Sequence, residues 1–241
     1  MSAALLVTSQ QITRPANTTA YTAKDAMGIS LAVSDATNAT PIVVTTGTND
    51  LSDGDYVTIA SVGGNTAANG NFYVDALTTT TFALYSDATL QTPVAGNGAY
   101  TSGGTVARLL RFARAGKWAG GGGRIVKALF TTDKKDYDGS VKLHLYKAPI
   151  TAILDNAANT WLYANVDNWI GSVTLAAAAS EDGTSSTGAF SEQVYGGADL
   201  PKDFVLGATN DLWGVLEDLG GKTPASGQKF TIKLTIETRD F

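Results

Sequence analysis

The chain has 241 residues, 44% of them apolar, so it is long enough for one large β domain or two smaller ones. Only 16% of the residues are charged and the net charge is −5, which argues against a surface built mainly to bind phosphate. The absence of cysteine excludes disulfides and thiolate metal sites, and no apolar run reaches the ~20 residues that span a bilayer. We therefore expect neither a nucleic-acid nor a membrane partner.

Short segments in which apolar and polar residues alternate recur along the chain, whereas helical periodicity is rare. Clusters of Gly, Asn, Asp and Ser separate these segments, as is typical of turns between strands. Short strands at such spacing predict an all-β fold, either a sandwich or a barrel. The predicted strands, in chain order, are Tyr56–Ala60, Asn71–Ala76, Thr81–Tyr85, Arg124–Phe130, Val141–Lys147, Trp169–Leu175, Leu212–Glu217 and Lys229–Glu237.

The composition changes along the chain in a way that indicates a nested organisation. Residues 32–106 form a block rich in Thr, Asn and Gly with its own turn signals, and we predict a small inserted β-barrel or sandwich domain there. Residues 1–31 and 107–241 then form a discontinuous main domain that opens with an extended arm over residues 1–21. Surface loops accept insertions at a modest entropic cost, so this arrangement is physically reasonable.

One cationic cluster follows the inserted block. It consists of Arg108, Arg111, Arg114, Lys117 and Arg124. We interpret it as a linker or loop that docks against acidic neighbours, with a contact to nucleic acid or an acidic partner as the alternative.

The residues that could carry chemistry do not form a recognisable catalytic or cofactor site. The single histidine, His144, lies on the polar face of a predicted strand, and no G-x-S-x-G segment offers it a nucleophile. Gly220–Thr223 ends like a phosphate-binding loop but lacks its first glycine, so we predict a turn. Asp50, Asp53 and Asp55 could bind Ca²⁺, but no ligand follows at the twelfth loop position, and a turn rich in Asp and Asn is the better interpretation.

Aromatic residues are concentrated in one later segment. Trp161, Tyr163 and Trp169, with Trp213 further on, are spaced among asparagines. Such side chains either fill a core and a subunit interface or stack on sugars, and we favour packing and interface contacts.

Several of these segments resemble a family of tailed-bacteriophage virion proteins. Ile12–Ala26, which reads ITRPANTTAYTAKDA, resembles the opening signature of that family, usually RPANTTAYTAGD, with Lys24 in place of a glycine. The glycine-rich Gly120–Ala128, then Leu143–Tyr146 and Ser226–Phe230, also fit. Within the inserted block, Pro41–Val44, Leu51–Ile59, Gly63–Gly70 and Gly98–Gly104 resemble a small β module common in phage tail and capsid accessory proteins.

The resemblance implies a virion structural protein without a cofactor or enzymatic activity. We expect a capsid decoration or cement protein with a jelly-roll-like β-sandwich that bridges major capsid subunits as a trimer at local threefold axes. It would assemble in the host bacterial cytoplasm and remain on the capsid surface. The predicted interface residues are Arg14, Pro15 and Tyr21 of the arm, which would add hydrogen bonds at a neighbour's edge, together with Trp161, Tyr163 and Trp169.

Three alternatives stay open at this point. A tail or fibre-associated protein would carry the inserted module equally well. A carbohydrate-binding module on the virion surface would show exposed Trp and Tyr side chains, and the inserted module itself could contact host-surface glycans. An enzyme such as a depolymerase is disfavoured by the missing pair of histidine and nucleophile.

Overall fold

The computed structural model of the chain describes residues 4–134, 137–160, 162–176, 189–194 and 198–239. The fold comprises two compact units. The main unit contains Met1–Met27, Leu110–Ile150 and Asn156–Phe241, and the second unit contains Gly28–Leu109 together with Thr151–Asp155. Among the described residues, no helix has the length and apolar character needed to cross a membrane.

The described residues form fifteen strands and two short 3-10 helices. The strands of the main unit are β1 (Ala4–Thr13), β2 (Ala26–Met27), β9 (Gly122–Thr132), β10 (Val141–Tyr146), β11 (Trp169–Leu175), β12 (Ala189–Val194), β13 (Lys202–Val205), β14 (Leu212–Asp218) and β15 (Lys229–Arg239). Those of the second unit are β3 (Leu31–Ala36), β4 (Val43–Thr46), β5 (Tyr56–Ala60), β6 (Gly70–Ala76) and β7 (Thr81–Tyr85). Strand β8 (Thr105–Phe112) contributes residues to both units, and the 3-10 helices are Thr66–Ala68 and Tyr163–Asn168.

Two antiparallel sheets make up the main unit. In the first sheet the order is β1-β15-β9, and β12 and β13 both pair with the far side of β9. In the second sheet the order is β11-β10-β14, and β14 also pairs with β2 and with Leu110–Phe112 of β8. Strand β1 therefore lies at one end of the first sheet, with its full length against β15.

Alternating side chains of both sheets form the core of the main unit. On β15, Phe230, Ile232, Leu234 and Ile236 are at most 1% exposed, as the period of two predicts for a strand with one buried face. Phe130 of β9 stacks on Phe230 at a centroid distance of 5.9 Å.

A buried tyrosine connects the two sheets of the main unit. The ring of Tyr137 meets that of Phe230 edge-on at 5.3 Å, so it belongs to the core that the first sheet lines. Its phenol donates a hydrogen bond to the carboxylate of Asp218 on β14, in the second sheet. Burial and the Asp218 carboxylate hold the pKa of Tyr137 far above its usual range, so the phenol keeps its proton as a donor.

The second unit is a closed six-stranded barrel. Its strands run in the order β8-β3-β4-β7-β6-β5, and pairing of β5 with β8 closes the circle. Apolar side chains fill the interior, and those that are at most 1% exposed include Ile42, Val44, Val57, Ile59, Val74, Phe82, Leu84 and Val106.

Asn65 is a fully buried polar side chain of the barrel unit. Its amide nitrogen donates hydrogen bonds to the carbonyls of Ala36 and Thr37, and its oxygen accepts one from the backbone of Asn97. All of its polar groups therefore have partners, as a buried amide requires.

The predicted all-β fold, with a sandwich and a small barrel, is confirmed. Several predicted strands agree closely with the structure, and Tyr56–Ala60, Thr81–Tyr85 and Trp169–Leu175 have the predicted bounds. Two predicted connecting segments are strands instead. Ten residues of the predicted arm form β1, which completes a sheet of its own unit, and the cationic linker begins within β8.

Candidate interaction surfaces

Arg14 and Tyr21, two predicted interface residues, are buried in the main unit at 2% and 3% exposure. The Arg14 guanidinium donates hydrogen bonds to the carbonyls of Asn17 and Thr19 and, at 3.2 Å, to the Tyr21 hydroxyl. It also lies over the Tyr21 ring, with 4.9 Å between its central carbon and the ring centroid. The structure corrects their predicted role, because the two side chains shape the loop between them and are not presented at the surface.

The loop that Arg14 holds is itself exposed. All five residues of Ala16–Ala20 are exposed, and they are small and uncharged. Pro15 is half-buried, and its carbonyl accepts a hydrogen bond from the backbone of Asn17 at 2.7 Å. The Asn17 side chain in turn accepts one from the backbone of Thr19. We call Ala16–Ala20 the display loop: it is fixed from inside and fully accessible from outside.

Lys24 has an unusual backbone conformation just after this loop. Its φ angle is 81°, in the left-handed region that favours glycine. The exposed Lys24 therefore adopts this conformation at a steric cost that a glycine would not have.

A second accessible feature is the outer edge of β1. Among the described residues no strand pairs with the side of β1 that faces away from β15. Leu5 and Val7 point away from the core and are 67% and 54% exposed. The segment Ala4–Thr13 contains no charged residue and no proline, and these are the residues that usually protect a sheet edge from pairing.

A row of exposed apolar side chains is the third feature. Tyr163 and Val166 belong to the 3-10 helix Tyr163–Asn168, and Trp169 directly follows it. Side chains three residues apart eclipse one another in such a helix, so these three lie along one side. They are 83%, 36% and 41% exposed, and the preceding Leu162 is 49% exposed. We call Leu162, Tyr163, Val166 and Trp169 the aromatic row; Trp161, which was predicted with them, lies outside the described residues.

The cationic cluster is largely paired with carboxylates. Arg108 of β8 is buried and lies 3.0 Å from Asp50 and 3.5 Å from Asp55. Arg111 contacts Asp211 at 2.7 Å within the main unit. In the same unit Arg124 forms a two-pronged pair with Asp203, at 2.7 and 3.0 Å. The expected docking against acidic neighbours is thus internal to the chain, and the linker interpretation is wrong for the residues in β8.

His144 is more buried than its predicted position on a polar strand face suggests. Its Nε2 lies 3.0 Å from a carboxylate oxygen of Glu217 on β14, and the amide of Asn159 donates to the same oxygen. Its Nδ1 is buried and has no hydrogen-bond partner among the described residues. Burial is the main influence on the pKa of His144 and lowers it from 6.5, although Glu217 acts in the opposite direction. The ring is therefore neutral near pH 7 and serves packing between strands.

The remaining sequence candidates also have structural roles. Asp55 accepts a hydrogen bond from the backbone of Ser52, and Asp53 accepts one from that of Ala76. In the described part of the chain, no three metal-ligating side chains converge. Gly221 adopts a φ of 65° and donates its backbone N–H to Asp218, which makes Gly220–Thr223 a turn.

The structure thus brings the predicted interface residues together in two places. Arg14, Pro15 and Tyr21 surround the display loop, and Tyr163 and Trp169 belong to the aromatic row. Sequence reasoning missed the outer edge of β1, because three consecutive apolar residues (Leu5–Val7) precede four consecutive polar ones (Thr8–Gln11) and no alternation signals a strand.

Comparison with known proteins does not place the chain in a family. No protein-family model matches it, and no curated protein does. Among solved structures, it is similar to the K3 cleaved adhesin domain of Lys-gingipain from Porphyromonas gingivalis w83, at 12% identity and a TM-score of 0.25. That match covers 76% of this chain and 91% of the other. The sequence identity and the TM-score are both too low to support a shared function.

Proposed function

We propose that this chain is a non-enzymatic structural protein of a tailed-phage virion and, more specifically, a capsid decoration protein that bridges and stabilises major capsid subunits. The single observation that carries the proposal is the display loop. A buried arginine is used to fix an exposed loop of small, uncharged residues, and that loop lies within the segment that resembles the phage signature.

A loop fixed before contact binds with a smaller loss of conformational entropy than a flexible one. Its small side chains allow a partner's surface to approach the backbone closely, and its lack of charge suits a contact between two protein surfaces. Loops held on a rigid scaffold commonly position the binding residues of proteins. We assign the display loop the contact with the major capsid subunit.

In this proposal the protein assembles in the cytoplasm of the host bacterium and remains on the outer surface of the capsid. A trimer at local threefold axes is our expected arrangement, because closed cyclic assemblies satisfy every copy equally. The same display loop would also serve a tail or fibre-associated protein, the runner-up assignment.

The test is attachment to particles that lack the protein. Thr18 is at the exposed tip of the display loop, so Thr18→Arg adds bulk and charge to the contact without disturbing the core. We expect this variant to keep the wild-type unfolding midpoint but to lose shell occupancy in cryo-electron microscopy. Thr79→Arg, at an exposed position of the barrel unit, is the matched control and should attach normally. Density on the tail would contradict the capsid assignment, and normal shell occupancy of Thr18→Arg would contradict the assignment of the capsid contact to the display loop.

Carbohydrate binding is a second candidate function, and the aromatic row favours it. Exposed Tyr163 and Trp169 offer flat apolar faces for sugar rings, and Asn165, Asp167 and Asn168 between them offer polar groups to hydroxyls. This candidate glycan contact belongs to the main unit and uses Tyr163 and Trp169, which the sequence also offered for stacking on sugars; a glycan contact through the inserted module was the other expectation from the sequence.

A glycan array screened with purified protein tests this second function. Trp169→Ala and Tyr163→Ala should abolish any signal, whereas Trp118→Ala, which removes another tryptophan that is 47% exposed, should not. Signals that survive both substitutions would exclude the aromatic row as the glycan site.

A further inference from the structure

The outer edge of β1 offers a regular array of backbone groups. Arg14 donates its backbone N–H to the carbonyl of Gln228 at 3.0 Å, and the β1–β15 register continues this pairing at every second residue. Because partners alternate along an antiparallel ladder, the even-numbered residues of β1 direct their N–H and C=O groups to β15. Leu5, Val7 and Ser9 therefore direct theirs to the outer edge.

The exposed side chains occur on these same residues. Leu5 and Val7 are the exposed large apolar side chains of β1, at 67% and 54%. At the opposite end of the same sheet, β13 carries Lys202 and Asp203 within four residues. Charges of this kind protect a sheet edge from pairing with another strand, and β1 has none in ten residues.

We propose that the outer edge of β1 pairs with the β1 of a second copy of this chain, antiparallel and about a twofold axis. A twofold axis that passes beside an odd-numbered residue matches each odd-numbered residue with another odd-numbered residue, so both the backbone groups and the exposed faces coincide. In the register centred on Val7, residues 4–10 overlap, Val7 is opposite its own copy and Leu5 is opposite Ser9.

The lack of charge is what selects a second copy as the occupant. A charged edge strand repels an identical strand, because twofold pairing brings like charges together or close to one another. Strand β1 meets its copy without such repulsion, and its apolar side chains are covered in the contact. The pairing would extend the sheet β1-β15-β9 continuously into the second copy.

Pairing through β1 is a property of the free protein and does not depend on the proposed attachment to a capsid. The twofold contact is separate from the expected trimer contact, so together the two would link neighbouring trimers. A monomeric free protein would leave the display loop and its particle test unaffected.

Sedimentation of the free protein over a range of concentrations is the direct test. Wild-type protein should form dimers, or, where the expected trimer contact also forms, larger assemblies that depend on the β1 contact. Val7→Pro removes an outward donor that β15 does not use, so the dissociation constant should rise about tenfold or more. Val205→Pro, at a 59% exposed position of β13, is the control for a proline at another sheet edge and should associate normally.

Charge exchange tests the twofold axis itself. The Val7→Lys protein and the Val7→Glu protein should each be monomeric alone, because the twofold axis brings identical charges together. A mixture of the two proteins should associate, because opposite charges then meet. The chain contains no cysteine, so Val7→Cys also allows a clean oxidative cross-link between copies. A wild-type protein that stays monomeric, or Lys and Glu variants whose mixture does not associate, would overturn the proposal.

Discussion

Replacing Arg14 by alanine distinguishes a core residue from an interface residue. The substitution removes three hydrogen bonds from a guanidinium that is 2% exposed, and its contact with the Tyr21 ring. The two loop carbonyls can be rehydrated because the display loop is exposed, so each such bond counts for about 1 kcal/mol. The lost packing of the arginine side chain and the Tyr21 hydroxyl left without its donor add to this, so the free energy of unfolding should fall by about 3–5 kcal/mol in total.

Tryptophan fluorescence in a denaturant titration measures this loss selectively. All four tryptophans fall within the sequence ranges of the main unit, so their signal reports the unit that contains Arg14. For a chain of this size the loss corresponds to a fall in melting temperature on the order of 10 °C.

Two further arginine variants complete the comparison. Arg14→Lys should recover little of the stability that Arg14→Ala loses, since an ammonium group cannot reproduce the several hydrogen bonds of the planar guanidinium. Arg124→Ala breaks a surface pair with Asp203 and should change stability by about 1 kcal/mol or less. If Arg14→Ala unfolds within about 0.5 kcal/mol of wild type while particle attachment is lost, Arg14 is an interface residue and our reasoning is wrong.

Three further predictions concern backbone strain, a buried amide and pH. Lys24→Gly should stabilise the main unit by about 0.5–1 kcal/mol, because relief of the left-handed φ exceeds the added entropy of the unfolded chain; denaturation that shows a loss would contradict the strain argument. Asn65→Ala should lower the free energy of unfolding of the barrel unit by about 2–3 kcal/mol, measured by far-ultraviolet circular dichroism. The unfolding of the main unit, measured by tryptophan fluorescence, should not change. The folded pKa of His144 is below 6.5, so the unfolded chain binds the proton first, and the contribution of this residue to stability falls as the pH decreases below 6.5. The melting temperatures of wild type and His144→Gln should therefore converge as the pH falls. A constant difference between the two melting temperatures would refute the predicted role of His144.

The strands that could be predicted are those whose alternation is strong and local. Lys229–Glu237 was predicted from four apolar residues at a period of two, and the structure adds only two residues to its end. Tyr56–Ala60 and Thr81–Tyr85 were bounded correctly because turn residues flank them closely. In these segments local pattern and tertiary burial agree, which is why sequence alone was sufficient.

The missed features depend on partners that are distant in sequence. Strand β8 was interpreted as a linker because its arginines obscure the alternation, and Arg108 can be buried only because Asp50 and Asp55 neutralise it. The role of Arg14 was hidden for a related reason: its acceptors are mainly backbone carbonyls, which no sequence pattern reveals. Nor does any local signal place Thr151–Asp155 in the second unit.

The closure of the small barrel limits how that module can evolve new partners. A circular sheet has no edge strand, so many copies of the module can lie at high local density without strand exchange between them. Any recognition by the module must then come from side chains and turns, which tolerate substitution better than the strands. A module of this kind can diversify at its surface while its folding remains unchanged.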